Sequence, residues 1–272
     1  CGQSSDAYSV YESGVGKCFS CGDTFAPDGE RSAPVAKDRP PLIEHLEFRS
    51  LDRRGISQET ARKYGYGIGE YNDKKVQVAP YMNNTGQVVA QKVRFADKGF
   101  TITGDISAAG LFGQQLLRKN AKMVVITEGE IDALSVSEAM GNWPALSVPN
   151  GAEGAVKAIQ DNLDVLETAE KIVLCFDNDD PGQKATAKCV ELFTPGKVAL
   201  VDLGGFKDAN DMLTKAGPKS VRDAVWSAKE WRPDGVVNLA DMKARISKPL
   251  VMGTPYPWGG LNEKLYGFRP KE

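Results

Sequence analysis

The chain contains a single histidine, His45, among its 272 residues. This scarcity excludes catalytic triads that need a histidine base and metal sites built from several imidazoles. The phosphate-binding pattern Gly-x-x-x-x-Gly-Lys-Ser/Thr is also absent, so the sequence predicts no complete ATPase of that class. No run of about eighteen apolar residues occurs, and no membrane span is therefore predicted.

The chain also lacks a large excess of positive or of negative charge. The formal net charge is −2 and the pI is near 5.7, which does not by itself indicate a nucleic-acid partner, although clustered charges can hide in such a balance. Apolar residues at 41% and charged residues at 26% are typical of a soluble globular protein with room for two domains. There is no charged-then-apolar leader, so a cytoplasmic location is expected by default. The start at Cys1 suggests a cut fragment of a longer protein.

The five cysteines form two groups. Cys175 in KIVLCF and Cys189 in ATAKCVELF lie in apolar patterns and are predicted to be small buried side chains. Cys18 and Cys21 have the spacing of a zinc knuckle, and Cys1 fits the end of an earlier knuckle, which gives three of the four ligands of a structural zinc site. A chance Cys-x-x-Cys in an unpaired loop is the alternative. A redox pair is disfavoured because no βαβ unit surrounds it.

Carboxylates follow two predicted buried strands. The apolar segment 123–126 leads to Glu128, and the segment 171–176 leads to Asp177 and Asp179. If the two strands are parallel and adjacent, these acids lie at one sheet edge, where ligands bind in open α/β sheets. Such acids repel one another unless a divalent cation neutralises them, and oxygen ligands favour Mg²⁺ or Mn²⁺ over Zn²⁺. Acidic loops that merely face solvent are the alternative.

Two further acids are candidates for the same edge. Asp132 projects toward it from the first turn of the helix that follows Glu128. Asp208, in KDAND, follows the strand that begins at Lys197 and is suited to cap a short helix. Capping alone would explain Asp208, although capping and a role at the metal edge can coexist.

The rest of the pattern predicts an α/β fold. Strands beginning near Met123, Ala145, Lys171 and Lys197 alternate with helices, as in a parallel sheet with right-handed crossovers. Asp179 and Asp180 precede Pro181 and Gly182, which open a helix through Phe193.

Upstream of this region, Ser57 is placed to cap a helix through Tyr64. Strands at Val76–Tyr81 and Gln87–Phe95 read as a hairpin joined at Asn-Asn-Thr-Gly. Lys92 and Arg94 lie on its second strand and Lys98 follows. By pattern alone such cations are solubilising.

Two motifs around the predicted acids, EGEID at residues 128–132 and DND at residues 177–179, resemble the Toprim domain. This domain is the metal-binding fold of bacterial-type primases, type IA and type II topoisomerases, some nucleases and the recombination mediator RecR. A wider set in the same order resembles the primase half of T7-type phage primase-helicases, with mitochondrial Twinkle as a more distant relative. This set consists of RGISQETARKYGY, the hairpin from VQVAP to QKVR, LFG, KDAND and WRPDGVV.

The resemblance implies a DNA primase that makes short RNA primers from ribonucleoside triphosphates on single-stranded DNA. Glu128, Asp177 and Asp179 would hold two Mg²⁺ or Mn²⁺ ions, while Asp132 and Asp208 would orient ligands or water. An intact ribbon would also hold Zn²⁺.

The resemblance also implies roles for basic residues and partners. Arg54 of RGIS, with Lys92, Arg94 and Lys98, would lie near nucleotide and template phosphates. The implied partners are the template, the RNA primer, a helicase domain in the same polypeptide, other subunits of a ring and a DNA polymerase.

The domain organisation implied is α/β Toprim with an N-terminal basic α+β subdomain and a remnant zinc ribbon. The predicted segments are a partial ribbon at 1–25, a flexible linker at 26–41, the N-terminal primase subdomain at 42–118, the Toprim domain at 119–232, a linker helix at 233–249 and the truncated start of a RecA-like helicase at 250–272. Two functions other than a primase stay open. A Toprim nuclease or topoisomerase is one alternative, although no transesterifying tyrosine domain or ATPase is visible. A non-catalytic Toprim binding module is another, but the retained acids argue against it.

Overall fold

The structure, a computed structural model, describes residues 8–11, 16–18, 24–25, 40–97, 99–141, 143–233, 242–243, 247, 252–265 and 267–268. Three residues assigned roles above, Cys1, Cys21 and Lys98, lie outside this part of the chain. The side chain of Cys18 does as well. The zinc site and the phosphate contact of Lys98 therefore stay predictions, as do the linkers predicted at 26–41 and 233–249, which fall mostly outside the described residues.

Two antiparallel sheets form the first part of the chain. The first, in the order β1-β2-β3, contains β1 (Tyr8–Val10), β2 (Gly16–Cys18) and β3 (Thr24–Phe25). A 3₁₀ turn (Asp52–Arg54) and α1 (Gln58–Tyr64) follow. The second sheet, in chain order, contains β4 (Gly67–Tyr71), β5 (Lys74–Met82), β6 (Val88–Arg94) and β7 (Phe100–Gly104).

The predicted hairpin is present as β5 and β6, but two strands that were not predicted flank it. The strand β4 escaped prediction because its sequence, GIGEY, contains two glycines, which are depleted in strands. Both glycines allow a close approach here. A Cβ on Gly67 would stand 2.9 Å from Leu46 Cβ, and a Cβ on Gly69 would stand 3.0 Å from Ile43 Cγ2.

The central sheet has helices on both faces. Its elements are β8 (Val124–Thr127), α2 (Glu130–Ala139), β9 (Ala145–Ser147), α3 (Gly151–Asp161), α4 (Leu163–Leu166), β10 (Ile172–Cys175), α5 (Asp180–Cys189), β11 (Val198–Leu200), α6 (Ala209–Ala216), α7 (Pro218–Trp226) and β12 (Lys229–Glu230). The strand order is β12-β11-β10-β8-β9. One further helix, α8 (Gly259–Leu265), lies near the end of the chain.

Four of these strands are parallel, as predicted, but the sheet is mixed rather than wholly parallel. The edge strand β12 pairs antiparallel with β11. It consists of two charged, exposed residues, so no apolar pattern marked it in the sequence. The helix α5 also ends earlier than predicted, because a 3₁₀ turn at Val190–Leu192 replaces its last turn.

Two clusters of buried side chains hold the layers together. On one face of the central sheet, residues of α2, α6 and α7 pack with Tyr64, Tyr81 and Phe112 from the first part of the chain. On the other face, residues of α3 and α5 pack against β8, β9 and β10. Cys175 and Cys189 are buried free thiols, as predicted. Within the described residues, no helix is both long and apolar enough to cross a bilayer.

The N-terminus of α1 is fastened to α2. Ser57 caps α1, as predicted, and its side chain accepts from Thr60 N. Glu138 Oε2 on α2 in turn accepts from Ser57 N at 3.0 Å, Ser57 Oγ at 2.8 Å and Thr60 Oγ1 at 2.5 Å. One carboxylate oxygen therefore ties the capped helix α1 to α2, which packs on the central sheet.

We expect Glu138→Ala to lower the free energy of unfolding by about 2 kcal/mol, because it removes the acceptor of three donors at a half-buried site. Urea denaturation followed by circular dichroism measures the change. The matched control, Glu153→Ala, removes an exposed carboxylate from α3 and should change stability by less than about 0.5 kcal/mol. Equal effects of the two substitutions would contradict the fastening role.

Candidate active site

The site forms where β8 and β10 end side by side. The two strands pair in parallel with Thr127 opposite Cys175, so the chain leaves the sheet at the same edge after each of them. Glu128 directly follows β8, and Asp177 lies two residues beyond β10. The convergence that the sequence predicted on condition of adjacent parallel strands is therefore confirmed for these two acids.

A cleft of about 320 Å³ opens at this edge. Its acidic floor comes from the central sheet and its helices, and its basic wall comes mainly from the first part of the chain. The acidic cleft, as we call it, is lined by Arg54, Lys92, Arg94, Phe100, Glu128, Gly129, Glu130, Ile131, Asp132, Gly151, Asp177, Lys207, Asp208 and Asn210. Seven of the residues predicted for the site, Arg54, Lys92, Arg94, Glu128, Asp132, Asp177 and Asp208, are thus brought together.

Burial and repulsion by neighbouring acids disfavour the ionised form of Asp177. Desolvation, followed by the charges of Glu128 and Asp208, raises the pKa of Asp177 to about 6, although Lys207 opposes the shift. Glu128 Oε2 is buried and has no hydrogen-bond partner within the described part of the chain. A buried carboxylate oxygen without a donor is a costly feature that a cation would satisfy.

Asp132 is one of two buried acids that line the acidic cleft, the other being Glu130. Desolvation, followed by the charge of Asp208, raises its pKa to about 8, while a hydrogen bond from Asn210 N at 3.0 Å acts in the opposite direction. The side chain of Asn210 accepts from Arg54 Nη1 at 3.0 Å and donates to Arg54 O at 2.9 Å and to Ser135 Oγ at 2.8 Å. Asn210 therefore joins Asp132 to the basic wall.

Lys207 forms ion pairs with the acids that follow β10 and β11. Its Nζ lies 3.6 Å from Asp177 Oδ2 and 4.0 Å from Asp208 Oδ2, and Asp177 is the main cause of its raised pKa. The backbone holds it there, since Asn178 N donates to Lys207 O at 2.7 Å. Asp208 caps α6 by accepting from Asp211 N at 2.7 Å, so its capping role and its place in the cleft coexist.

Asp179 does not line the acidic cleft. Its side chain caps α5 by accepting from Gly182 N at 3.0 Å, although its charge still contributes to the raised pKa of Asp177. Gly182 is needed here, because a Cβ would stand 2.2 Å from Asp177 O. The predicted role of Asp179 as a metal ligand stays a prediction.

An ion pair between Glu130 and Lys92 joins the acidic floor of the cleft to its basic wall. Glu130 is buried at the start of α2, and its Oε1 accepts from Lys92 Nζ at 2.9 Å and from Tyr81 Oη at 2.5 Å. Lys92 Nζ also donates to Pro149 O at 3.0 Å and lies 4.9 Å from the centre of the Phe100 ring. The side chain of Lys92 is only 16% exposed, so it is a fixed part of the wall and not a solvated lysine.

Sequence reasoning missed Glu130, Lys207, Asn210 and Phe100. The first three belong to EGEID and KDAND, and a signal was available, because these motifs place several polar residues at strand ends. Phe100 gave no signal, since its position relative to Lys92 depends on the pairing of β6 with β7.

The donor set suits a hard divalent cation. Within the described residues, no group of three or more histidine, cysteine, aspartate or glutamate side chains is closed around one point in a metal-ligand arrangement. The converging groups nevertheless offer only carboxylate oxygens, and one of them is the orphaned Glu128 Oε2. Such oxygens are the ligands that Mg²⁺ and Mn²⁺ prefer.

A mainly parallel sheet with acids at the carboxyl ends of its central strands defines a Toprim-like domain. A family model of that description matches residues 125–213. A second family model, described as the N-terminal α+β fold of the bacteriophage T7 DNA helicase/primase, matches residues 47–104.

Individual relatives agree with both matches. The chain is 35% identical to the DNA helicase/primase of Enterobacteria phage T3 over an alignment of 291 positions, which covers 100% of this chain and 51% of that protein. A second relative is the primase fragment of the bacteriophage T7 primase-helicase protein, which is known from a crystal structure. The two structures align with a TM-score of 0.66 and 33% sequence identity, and the alignment covers 83% of this chain and 97% of that chain. The Twinkle homolog of Arabidopsis thaliana is more distant, at 28% identity over 83% of this chain and 36% of that protein.

The chain belongs to the family of T7-type phage primase-helicases. It spans about half the length of the phage T3 relative. The resemblance drawn from the sequence is therefore confirmed, including Twinkle as the more distant relative.

We expect Asp132→Asn to stabilise the metal-free protein. Asp132 is ionised above about pH 4 in the unfolded chain but holds its proton to about pH 8 in the fold, so stability contributed by this group falls as pH rises between these values. The amide keeps an acceptor for Asn210 N and removes the buried charge. The gain should grow from near zero at pH 4 to several kcal/mol at pH 8, since each unit of raised pKa corresponds to about 1.4 kcal/mol.

Urea denaturation in EDTA at several pH values measures this difference. Asp164→Asn, at an exposed acid of α4, is the control and should leave the pH profile unchanged. A variant that is less stable than the wild type at pH 8 would contradict the repulsion described above.

Proposed function

We propose that this chain is the primase part of a phage-type primase-helicase. It makes short RNA primers from ribonucleoside triphosphates on single-stranded DNA by metal-dependent nucleotidyl transfer. The observation that carries the proposal is the acidic cleft itself, in which Glu128, Asp132, Asp177 and Asp208 lie opposite a wall that contains Arg54, Lys92 and Arg94.

The proposed reaction joins two nucleotides. A 3′-hydroxyl gives its proton to water and attacks the α-phosphate of a triphosphate. A new P–O bond forms, the bond from the α-phosphorus to the oxygen of the β-phosphate breaks, and pyrophosphate leaves. Divalent ions, when bound, stabilise the attacking and leaving oxygens of such a displacement. Glu128, Asp177 and Asp179 would hold them, and the orphaned Oε2 of Glu128 supports its part in this set.

The remaining residues orient the reactants. Asp132 and Asp208 position water or metal ligands, and Asn210 fixes Asp132 by its backbone donor. Arg54 and Arg94 offer guanidinium groups to nucleotide and template phosphates, which suit bidentate phosphate contacts. Lys92 contributes from a position that Glu130 already fixes.

The context of the reaction is also proposed. The template and primer would occupy the cleft, a helicase domain would follow in the same polypeptide, and the full-length protein would assemble as a ring that works with a DNA polymerase in the host cytoplasm. The zinc ribbon at residues 1–25 would bind Zn²⁺ through Cys1, Cys18, Cys21 and one further ligand. The domain boundaries predicted from the sequence belong to this proposal.

We expect Glu128→Gln to abolish synthesis of dinucleotides while the fold is kept, because glutamine has the same shape but lacks the charge that a divalent cation requires. Circular dichroism reports the fold, and a dinucleotide-forming assay on single-stranded DNA reports activity. Glu153→Gln, an exposed acid of α3, is the matched control and should retain activity. Synthesis by Glu128→Gln at the wild-type level would refute both the residue's role and the proposed site.

A second prediction tests metal binding by its effect on stability, without an activity assay. Mg²⁺ or Mn²⁺ should raise the free energy of unfolding of the wild type by about 2.7 kcal/mol at roughly one hundred times its dissociation constant. Asp177→Asn should lose most of this stabilisation, because an amide is a poorer ligand for a hard cation. Thermal unfolding over a range of metal concentrations measures it, with Asp161→Asn on the surface of α3 as control. The same metal response in both variants would exclude Asp177 as a ligand.

A further inference from the structure

We propose that Phe100 is the stacking platform for a nucleobase at the mouth of the acidic cleft. The proposal rests on the proposed function, because it names a subsite for the nucleotide or polynucleotide that the cleft would bind. Nucleic-acid-binding grooves commonly combine cations for the phosphates with an exposed aromatic ring for the base. Phe100 is the only aromatic residue among the described residues that line this cleft.

The ring is open to solvent although it lies at a functional edge. Phe100 begins β7, is paired with Arg94 of β6, and is 57% exposed. Large apolar side chains within a sheet ordinarily bury most of their surface, and this one lies beside cations instead. An exposed ring on the wall of a charged cleft indicates a ligand that has both a flat apolar face and an anionic group.

The ring is also held in place before any ligand binds. Lys92 Nζ lies over it at 4.9 Å from the ring centre, within the range of a cation–π contact. Lys92 is itself fixed by Glu130 and by Pro149 O, and Glu130 is buried at the start of α2. A chain of contacts therefore sets Phe100 in a defined position relative to the acids, so that little side-chain freedom would be lost on stacking.

The charges around Phe100 match a nucleotide. Arg94 and Arg54 line the same cleft and carry guanidinium groups for phosphate oxygens, while the acids that would hold divalent ions lie on the floor. If a base stacks on Phe100, the phosphate of the same nucleotide would lie in the cleft beside its basic wall. An apolar protein partner would use the ring but would leave these cations without anions.

Two sources supply this chemistry: the base of an incoming ribonucleoside triphosphate, and a base of the single-stranded template or its primer. Both present a π face linked to a phosphate. The two sources are separated by testing each probe alone, when no bond can form between nucleotides.

The experiment compares the wild type with Phe100→Leu, which keeps apolar bulk and removes the π face, and with Phe100→Tyr, which restores an aromatic ring. The probes are 5-iodouridine triphosphate and single-stranded oligodeoxynucleotides that carry 5-iodouracil at successive positions, because iodinated bases cross-link on irradiation to aromatic side chains stacked on them. Affinity is measured by titration, and the cross-linked peptide is identified by mass spectrometry. Phe268→Leu, whose ring is 56% exposed outside the cleft, is the matched control.

We expect an adduct on the peptide that contains residue 100 in the wild type and in Phe100→Tyr. We expect no such adduct in Phe100→Leu, whose affinity for the same probe should fall by roughly tenfold. Thermal stability should not change, since the ring is exposed. An adduct with the triphosphate alone assigns the platform to the incoming nucleotide, and one with an oligonucleotide alone assigns it to the polynucleotide.

The proposal is overturned if Phe100→Leu binds both probes as the wild type does, or if the wild type gives no adduct at residue 100 with either probe. A loss of self-association in Phe100→Leu with unchanged probe binding would assign the ring to a protein contact instead. These binding and cross-linking measurements do not depend on primer synthesis. An inactive chain that still cross-links at residue 100 would refute the proposed reaction and leave the stacking site standing.

Discussion

Repulsion between half-buried carboxylates at one sheet edge is the constraint around which the site is built. Parallel pairing of β8 with β10 brings Glu128 and Asp177 together, and the caps of α5 and α6 place Asp179 and Asp208 close by. The raised pKa of Asp177 reports the electrostatic cost, because desolvation and neighbouring charges both disfavour its ionised form. A fold that tolerates this arrangement must supply compensating contacts elsewhere.

Those contacts come from the seam between the antiparallel sheet of β4 to β7 and the central sheet. Glu130 accepts from Tyr81 and Lys92, and Glu138 accepts from Ser57 and Thr60, so α2 is fastened along its length to the first part of the chain. A shared apolar cluster lies beneath these polar contacts. The basic wall is consequently held at a fixed position over the acidic floor, and α2 carries residues of both the seam and the site.

Much of the fold could be read from the sequence. Unbroken apolar segments ending in acids predicted the parallel strands, and Ser57 and Asp208 predicted helix caps that the structure contains. Strands without such a pattern were missed, since β4 contains two glycines that make room for Leu46 and Ile43, and β12 is a pair of charged residues. Local composition cannot signal a strand whose existence depends on a neighbour from elsewhere in the chain.

By itself, the sequence determined which acids end strands and begin helices, because apolar periodicity and capping act between residues close in the chain. Only the tertiary structure decided what those residues face. It pairs Lys92 with Glu130 and places Lys92 Nζ over the Phe100 ring, and it brings Asn210 between Asp132 and Arg54. It leaves Asp179 outside the cleft as a cap. These outcomes depend on strand order and on how two sheets meet, and side-chain contacts between remote elements leave no periodic mark in the sequence.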